Sequence, residues 1–245
     1  MSEISRPAGV HKKNFNGFVV AIIGTDGAGK STVANKLRDA HPLSMKYIYM
    51  GASLEASNIS LPTSRWLVTM KRRRLAQIST EYDRLPPAAM MTDAMRARLP
   101  RGKTVKALGV INRIAEEWYR QVFVWYYTWR GYIVICDRHF LYEYFPDSES
   151  LGSKDRRLSV RLHASLLSRF YPKPHLTVFL DASPEVLYAR KPEWTIEHLE
   201  KQRAGIIEQG KAAKEFVRVD ATQPEDRVFS EVYAQIERFR ASQAG

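Results

Sequence analysis

The chain has 245 residues, 38 Lys and Arg against 26 Asp and Glu, a formal net charge of +12 and one cysteine. Hydrophobic residues at 44% and charged ones at 26% supply a sizeable core and exclude global disorder. A lone thiol, Cys136, excludes disulfide scaffolds and cysteine metal clusters. With no apolar run of about 18 residues and no secretory core near the start, the expected compartment is the cytoplasm.

Residues 1–16 are polar and read as a loose tail before a single domain over residues 17–241. Five short apolar runs, residues 18–23, 46–49, 132–136, 176–180 and 216–219, are rich in β-branched and aromatic types, and several end at Gly or Asp. They read as strands. Between and after them, residues 30–40, 105–130, 156–170, 184–190 and 224–240 are patterned as helices. Such alternation predicts an α/β fold with a mainly parallel sheet covered on both faces. The helix over 105–130 carries Trp118, Tyr119, Phe123, Trp125, Tyr126, Tyr127 and Trp129 around most of its circumference, which predicts core packing over a stacking platform.

An insertion over about residues 51–106 opens on a Ser/Asn-rich stretch and contains Pro86-Pro87 and Pro100-Arg101-Gly102. Residues 65–106 hold eleven Lys and Arg and three Asp and Glu, so most of the net charge is concentrated there. Either it is a solvated excursion or it contacts an anionic partner, nucleic acid included.

Gly24-Thr-Asp26-Gly27-Ala28-Gly29-Lys30-Ser31 satisfies the Walker A pattern G-x-x-x-x-G-K-[ST], directly after a strand and before a helix. Its amides and the helix N-terminus suit phosphate oxygens. Lys30 is placed to reach the β- and γ-phosphates of ATP, and the Ser31 hydroxyl to ligate Mg²⁺. The base-reading N-K-x-D of a GTPase is missing from the sequence. At the end of the third strand, Asp137 is a candidate to organise metal or accept a proton, and Arg138 to hold a phosphate; the competing reading is a surface ion pair. Arg190 and Lys191 end the helix after the fourth strand, either as dipole complements or as cations over a migrating phosphoryl group. His11, His41, His163, His175 and His198 form no ligand-spaced cluster.

Together these stretches resemble the thymidylate kinase family of P-loop nucleotide kinases. Gly24 through Ser31 and Thr32 look like its phosphate loop, Asp137-Arg138-His139 its D-R-[YH] motif, and Leu180-Asp-Ala-Ser-Pro-Glu-Val with Arg190 the approach to its lid. The resemblance implies that Asp26 approaches the acceptor sugar and that Ala221, Thr222 and Gln223 lie against adenine. It implies ATP and Mg²⁺ as cofactors, metal at Ser31 and Asp137, and catalytic roles for Lys30, Asp137, Arg138 and Arg190. The implied fold is a three-layer P-loop kinase with a five-stranded parallel sheet, order 2-3-1-4-5, and a short lid at about residues 190–210. A homodimer is a further expectation. The chain departs from the family after the second strand, where Met50-Gly-Ala-Ser-Leu-Glu55 replaces R-E-P-G-G-T, and Arg113 and Arg120 miss the usual acceptor spacing. Three functions therefore stand: a kinase of a nucleoside monophosphate, most naturally thymidylate; a kinase of a larger anionic acceptor, such as a modified base in DNA or a phosphorylated glycan; or a non-catalytic nucleotide-binding module.

Overall fold

A computed structural model describes residues 17–41, 44–51, 53, 56–66, 69, 103–143 and 171–243. The tail over 1–16, the helix expected over 156–170 and most of the basic segment lie outside the described residues. The elements are β1 (Val19–Gly24), α1 (Lys30–Ala40), β2 (Met45–Tyr49), α2 (Lys103–Trp129), β3 (Ile133–Asp137), α3 (Phe140–Glu143), β4 (Leu176–Asp181), α4 (Pro184–Arg190), α5 (Ile196–Gly210), β5 (Phe216–Asp220) and α6 (Glu225–Ser242). All strand pairs are parallel and the order is β2-β3-β1-β4-β5, as expected.

Alternation along each strand divides the core into two layers. Val20, Ile22, Ile133, Ile135, Val178 and Leu180 pack with Val33 and Leu37 of α1 and Val232 and Ile236 of α6. On the other face Val19, Ala21, Ile23, Val134, Cys136 and Phe179 pack with Val124 of α2, Phe140 and Ile206. Both faces of the central strands are consequently apolar, which explains why they read as continuous hydrophobic runs.

The strands reach further at their carboxyl ends than the apolar runs did, to Gly24, Asp137, Asp181 and Asp220, because ladder pairing does not stop where hydrophobicity stops. Register sets Asp137 opposite Ile22 of β1 and Tyr49 of β2, so β2 and β3 end level and β1 runs two residues further. Loops after them consequently meet over one rim.

The aromatic helix departs from expectation. Trp129 is 82% exposed, and Trp125 and Tyr126 are about half exposed at 47% each, whereas Val124 is buried. The inward face of α2 carries Glu116, Glu117, Arg120 and Gln121 beside Val124, all buried, so Trp125, Tyr126 and Trp129 are left on the outer side. Among the described residues no helix is long and apolar enough to cross a membrane.

Candidate functional site

The turn from β1 into α1 is held by glycines in the left-handed region. Gly27 has φ 88° and Gly29, which precedes α1, φ 85°. At Gly27 a Cβ would also meet the Leu187 carbonyl oxygen at 3.0 Å, so the end of α4 lies directly on the loop. Lys30 is 5% exposed and its Nζ donates to the Thr25 carbonyl at 2.8 Å, with Asp26 Oδ1 at 3.7 Å. Ser31 and Thr32 are exposed at the first turn of α1. Gly24, Asp26, Lys30, Arg138, His139, Tyr142 and the α5 residues Gln202 and Ile206 are among those lining one cleft of about 210 Å³.

β3 ends in Asp137, and Arg138, which lines the cleft, follows with φ 68°, an uncommon backbone for a non-glycine residue. Asp137 is fully buried; the Tyr47 hydroxyl donates to its Oδ2 at 3.0 Å, while Oδ1 has no hydrogen-bond partner among the described residues. Burial foremost, then Asp137 beside it, pushes the Tyr47 phenol pKa up, so the phenol stays a donor. Among the described residues Asp137 makes no ion pair of the kind considered for it. Arg138 instead donates to Asp26 Oδ1 at 2.8 Å, across 112 residues. Burial would raise the Asp26 pKa, but Lys30, Arg138 and Lys191 outweigh it and hold the carboxyl below its ordinary range.

His139 is 2% exposed and accepts the Leu141 amide on Nδ1 at 3.4 Å, which requires that nitrogen to be unprotonated. Burial lowers its pKa to about 4. An unfolded histidine protonates near 6.5, so from that pH downward the unfolded chain binds the extra proton and stability falls, levelling near pH 4. The loss from this residue is about 3 kcal/mol over the window. Asp26 and Asp181, whose pKa values are lowered from 3.8, lose their contribution only below that value, outside most of the window. His175, also lowered by burial first, adds to the same slope. Melting temperatures from pH 7 to 4 should therefore fall less steeply in His139→Asn than in the parent chain; equal slopes would show that His139 is not held neutral.

The remaining expected residues lie along the other rim. Arg190, at the end of α4, donates through Nη1 to the Ala221 carbonyl at 2.8 Å and so reaches the loop after β5. In that loop the Thr222 amide and hydroxyl and the Gln223 amide group all donate to Asp220. Lys191 pairs with Glu193 at 3.0 Å. Arg203, a cation of the expected lid, is engaged elsewhere: it donates to both Asp181 oxygens, at 2.6 and 3.1 Å, and Arg218 donates to the same carboxylate. Burial alone would raise the Asp181 pKa, and these two arginines bring it below the ordinary value.

Arg120 is also committed. At 1% exposure it donates to the Tyr49 and Gly51 carbonyls, at 3.3 and 2.8 Å, and to Glu116 at 3.2 Å. Sequence reasoning missed Tyr47 and Trp194, whose indole donates to Asp26 Oδ2 at 3.2 Å. Tyr47 needed the sheet order; Trp194 was visible as a tryptophan in an otherwise polar turn.

No family model matches the chain. A probable thymidylate kinase of Archaeoglobus fulgidus is 31% identical over 116 residues, 44% of this chain and 55% of that protein, so the chain spans about half the length of that curated relative. A probable thymidylate kinase of Staphylothermus marinus is 26% identical over 229 residues, covering 89% of this chain and 93% of the other. Among solved structures, a deoxyadenosine kinase from M. mycoides with dCMP and a flexible dCDP bound aligns at TM-score 0.50 and 13% identity, over 90% of this chain and 99% of that one. That likeness is one of fold. In sequence the chain is similar to these probable thymidylate kinases, and its fold, a five-stranded parallel sheet, is like that of the deoxyadenosine kinase.

Proposed function

We propose that the protein is a Mg-ATP-dependent phosphotransferase that moves the γ-phosphate of ATP to a nucleoside monophosphate, thymidylate being the acceptor its curated relatives are named for. The observation that carries this reading is the meeting of Lys30, Asp26 and Arg138 in one cleft, drawn from two loops over a hundred residues apart. Amides of Gly24, Gly27, Ala28 and Gly29, with those of Lys30, Ser31 and Thr32, receive the phosphates of ATP at the start of α1. Lys30 turns from Thr25 to the β- and γ-phosphates, and Arg138 takes the acceptor phosphate. Arg190 and Lys191 lie between the phosphate loop and residues Ala221, Thr222 and Gln223, where adenine is proposed to sit.

The buried, unpartnered Asp137 Oδ1 is the kind of oxygen a hard cation needs, so Ser31 and Asp137 fit a site for Mg²⁺. Bound there, the ion would neutralise charge on the phosphate oxygens. Tyr47 fixes Asp137 Oδ2, which leaves Oδ1 to the ion or to an acceptor proton.

The domain division belongs to the same proposal: a tail over 1–16, one kinase domain over 17–241, a basic insertion over 51–106 and a lid over 190–210. So does a homodimer, for which the exposed Trp125, Tyr126 and Trp129 of α2 offer an apolar face. A larger anionic acceptor is the second reading. It is favoured by the commitment of Arg120 to carbonyls, which leaves Arg138 the only arginine lining the cleft among the described residues, and by the charge of residues 65–106.

Purified chain with Mg-ATP and a panel of nucleoside monophosphates should release ADP with one acceptor well above the acceptor-free rate. Silence across the panel removes the first reading, and ADP release with a phosphorylated glycan or modified DNA in its place supports the second.

A further inference from the structure

Asp26 sits on the phosphate loop between Gly24 and Gly27 with its side chain 22% exposed, and three donors or cations reach its two carboxylate oxygens. Oδ1 faces two cations, Arg138 at 2.8 Å and Lys30 at 3.7 Å. Oδ2 accepts a neutral donor from a different part of the fold, the Trp194 indole N–H at 3.2 Å. An indole donates and cannot accept, so the direction of this bond is unambiguous.

Trp194 is itself held. It sits in the turn between α4 and α5, and its ring stacks on His198 with centroids 4.5 Å apart and 21° between planes. The Thr195 hydroxyl caps α5 by accepting the His198 amide at 3.2 Å, so ring, cap and first helical turn form one unit. That helix is fixed to the core by the buried Leu199 and Ile206, and to β4 by Arg203 on Asp181. The indole is therefore mounted on a firm base while its target is a side chain on a glycine-rich loop.

We propose that Trp194 is a positioning residue for the reaction put forward above: it locks the Asp26 carboxylate and, through Oδ1, sets the guanidinium of Arg138 on the acceptor side of the cleft. Asp26 and Arg138 both line that cleft, so an acceptor phosphate on Arg138 meets a guanidinium already oriented. Without the indole, Asp26 rotates about its side-chain bonds and Arg138 follows it. Binding of the acceptor weakens, while ATP on the loop amides and Lys30 is held as before. The inference rests on the proposed kinase reading.

The test combines a spectroscopic and a kinetic measurement on the full chain. The protein has five tryptophans, and Trp194→Phe identifies the Trp194 indole resonance in a ¹H–¹⁵N spectrum by its loss. Asp26→Asn should shift that resonance and leave the other four in place. Trp194→Phe, which retains a ring against His198, should raise the acceptor KM about tenfold with kcat and the KM for ATP within about threefold, as expected for one hydrogen bond to a charged group. Its melting temperature should fall by only the few degrees that about 1 kcal/mol is worth in a chain of this size. A Trp194 resonance that ignores Asp26→Asn overturns the inference whatever the enzyme does. An unchanged acceptor KM, or an equal rise in the KM for ATP, overturns it too. A shifted resonance in a protein that transfers phosphate to no acceptor defeats the positioning role together with the proposed function.

Discussion

Lys30→Ala should lower the rate of phosphoryl transfer by roughly 10³-fold, since a preorganised cation on the transferring phosphate is removed from a site that water screens poorly. The fold should survive. Thr25 O loses the Lys30 donor but keeps the Ala28 amide at 3.3 Å, and Asp26 keeps Arg138 and Trp194. A stability loss of about 1 kcal/mol is expected from the missing hydrogen bond. Turnover with the accepted substrate, ATP binding by titration calorimetry and thermal melting together check this. Lost transfer with an intact melt supports the kinase; a parent protein that binds ATP tightly yet turns over with no acceptor supports the non-catalytic module. An unaltered rate in the variant would mean that Lys30 does not touch the reacting phosphate.

What could be read from the sequence was whatever is encoded by neighbours along the chain. The loop from Gly24 to Ser31, the bounds of α1 and α4, and the alternation of strand and helix each depend on a few adjacent residues. The pairing of Asp26 with Arg138 is not of this kind. It arises because β1 and β3 are neighbours in register, a fact of sheet order that enters only through the family resemblance. The same holds for Tyr47, an ordinary β-strand tyrosine until β2 pairs with β3 and sets its hydroxyl on Asp137. Charge alone does not settle availability. Arg203, within the expected lid, is paired with Asp181, and Arg120, already off the family's acceptor spacing, satisfies backbone carbonyls in the interior. Arginine spacing says where a cation is attached, whereas burial and partners decide whether it remains available to a ligand.

The buried pair under the cleft carries the second large effect. Arg120 and Glu116 are 1% and 3% exposed, one helical turn apart on α2. Two charges withdrawn from water depend on each other and on every further hydrogen bond in reach, here the Tyr49 and Gly51 carbonyls for Arg120 and the Leu61 amide for Glu116. Arg120→Met keeps the volume but strands the Glu116 charge and two carbonyls, so it should cost about 3–5 kcal/mol, read as a lowered denaturant midpoint. The double variant Arg120→Met with Glu116→Gln removes both charges and should recover part of that loss, which separates ionic stranding from lost packing. Catalysis should suffer separately. Arg120 ties down the Gly51 carbonyl, and a Cβ at Gly51 would lie 2.6 Å from Arg138 Cδ, so the loop after β2 forms the floor on which Arg138 rests. With that floor loosened, the acceptor KM should rise in the double variant even where its stability recovers. Recovery of stability and acceptor KM together would reduce Arg120 to a purely structural brace.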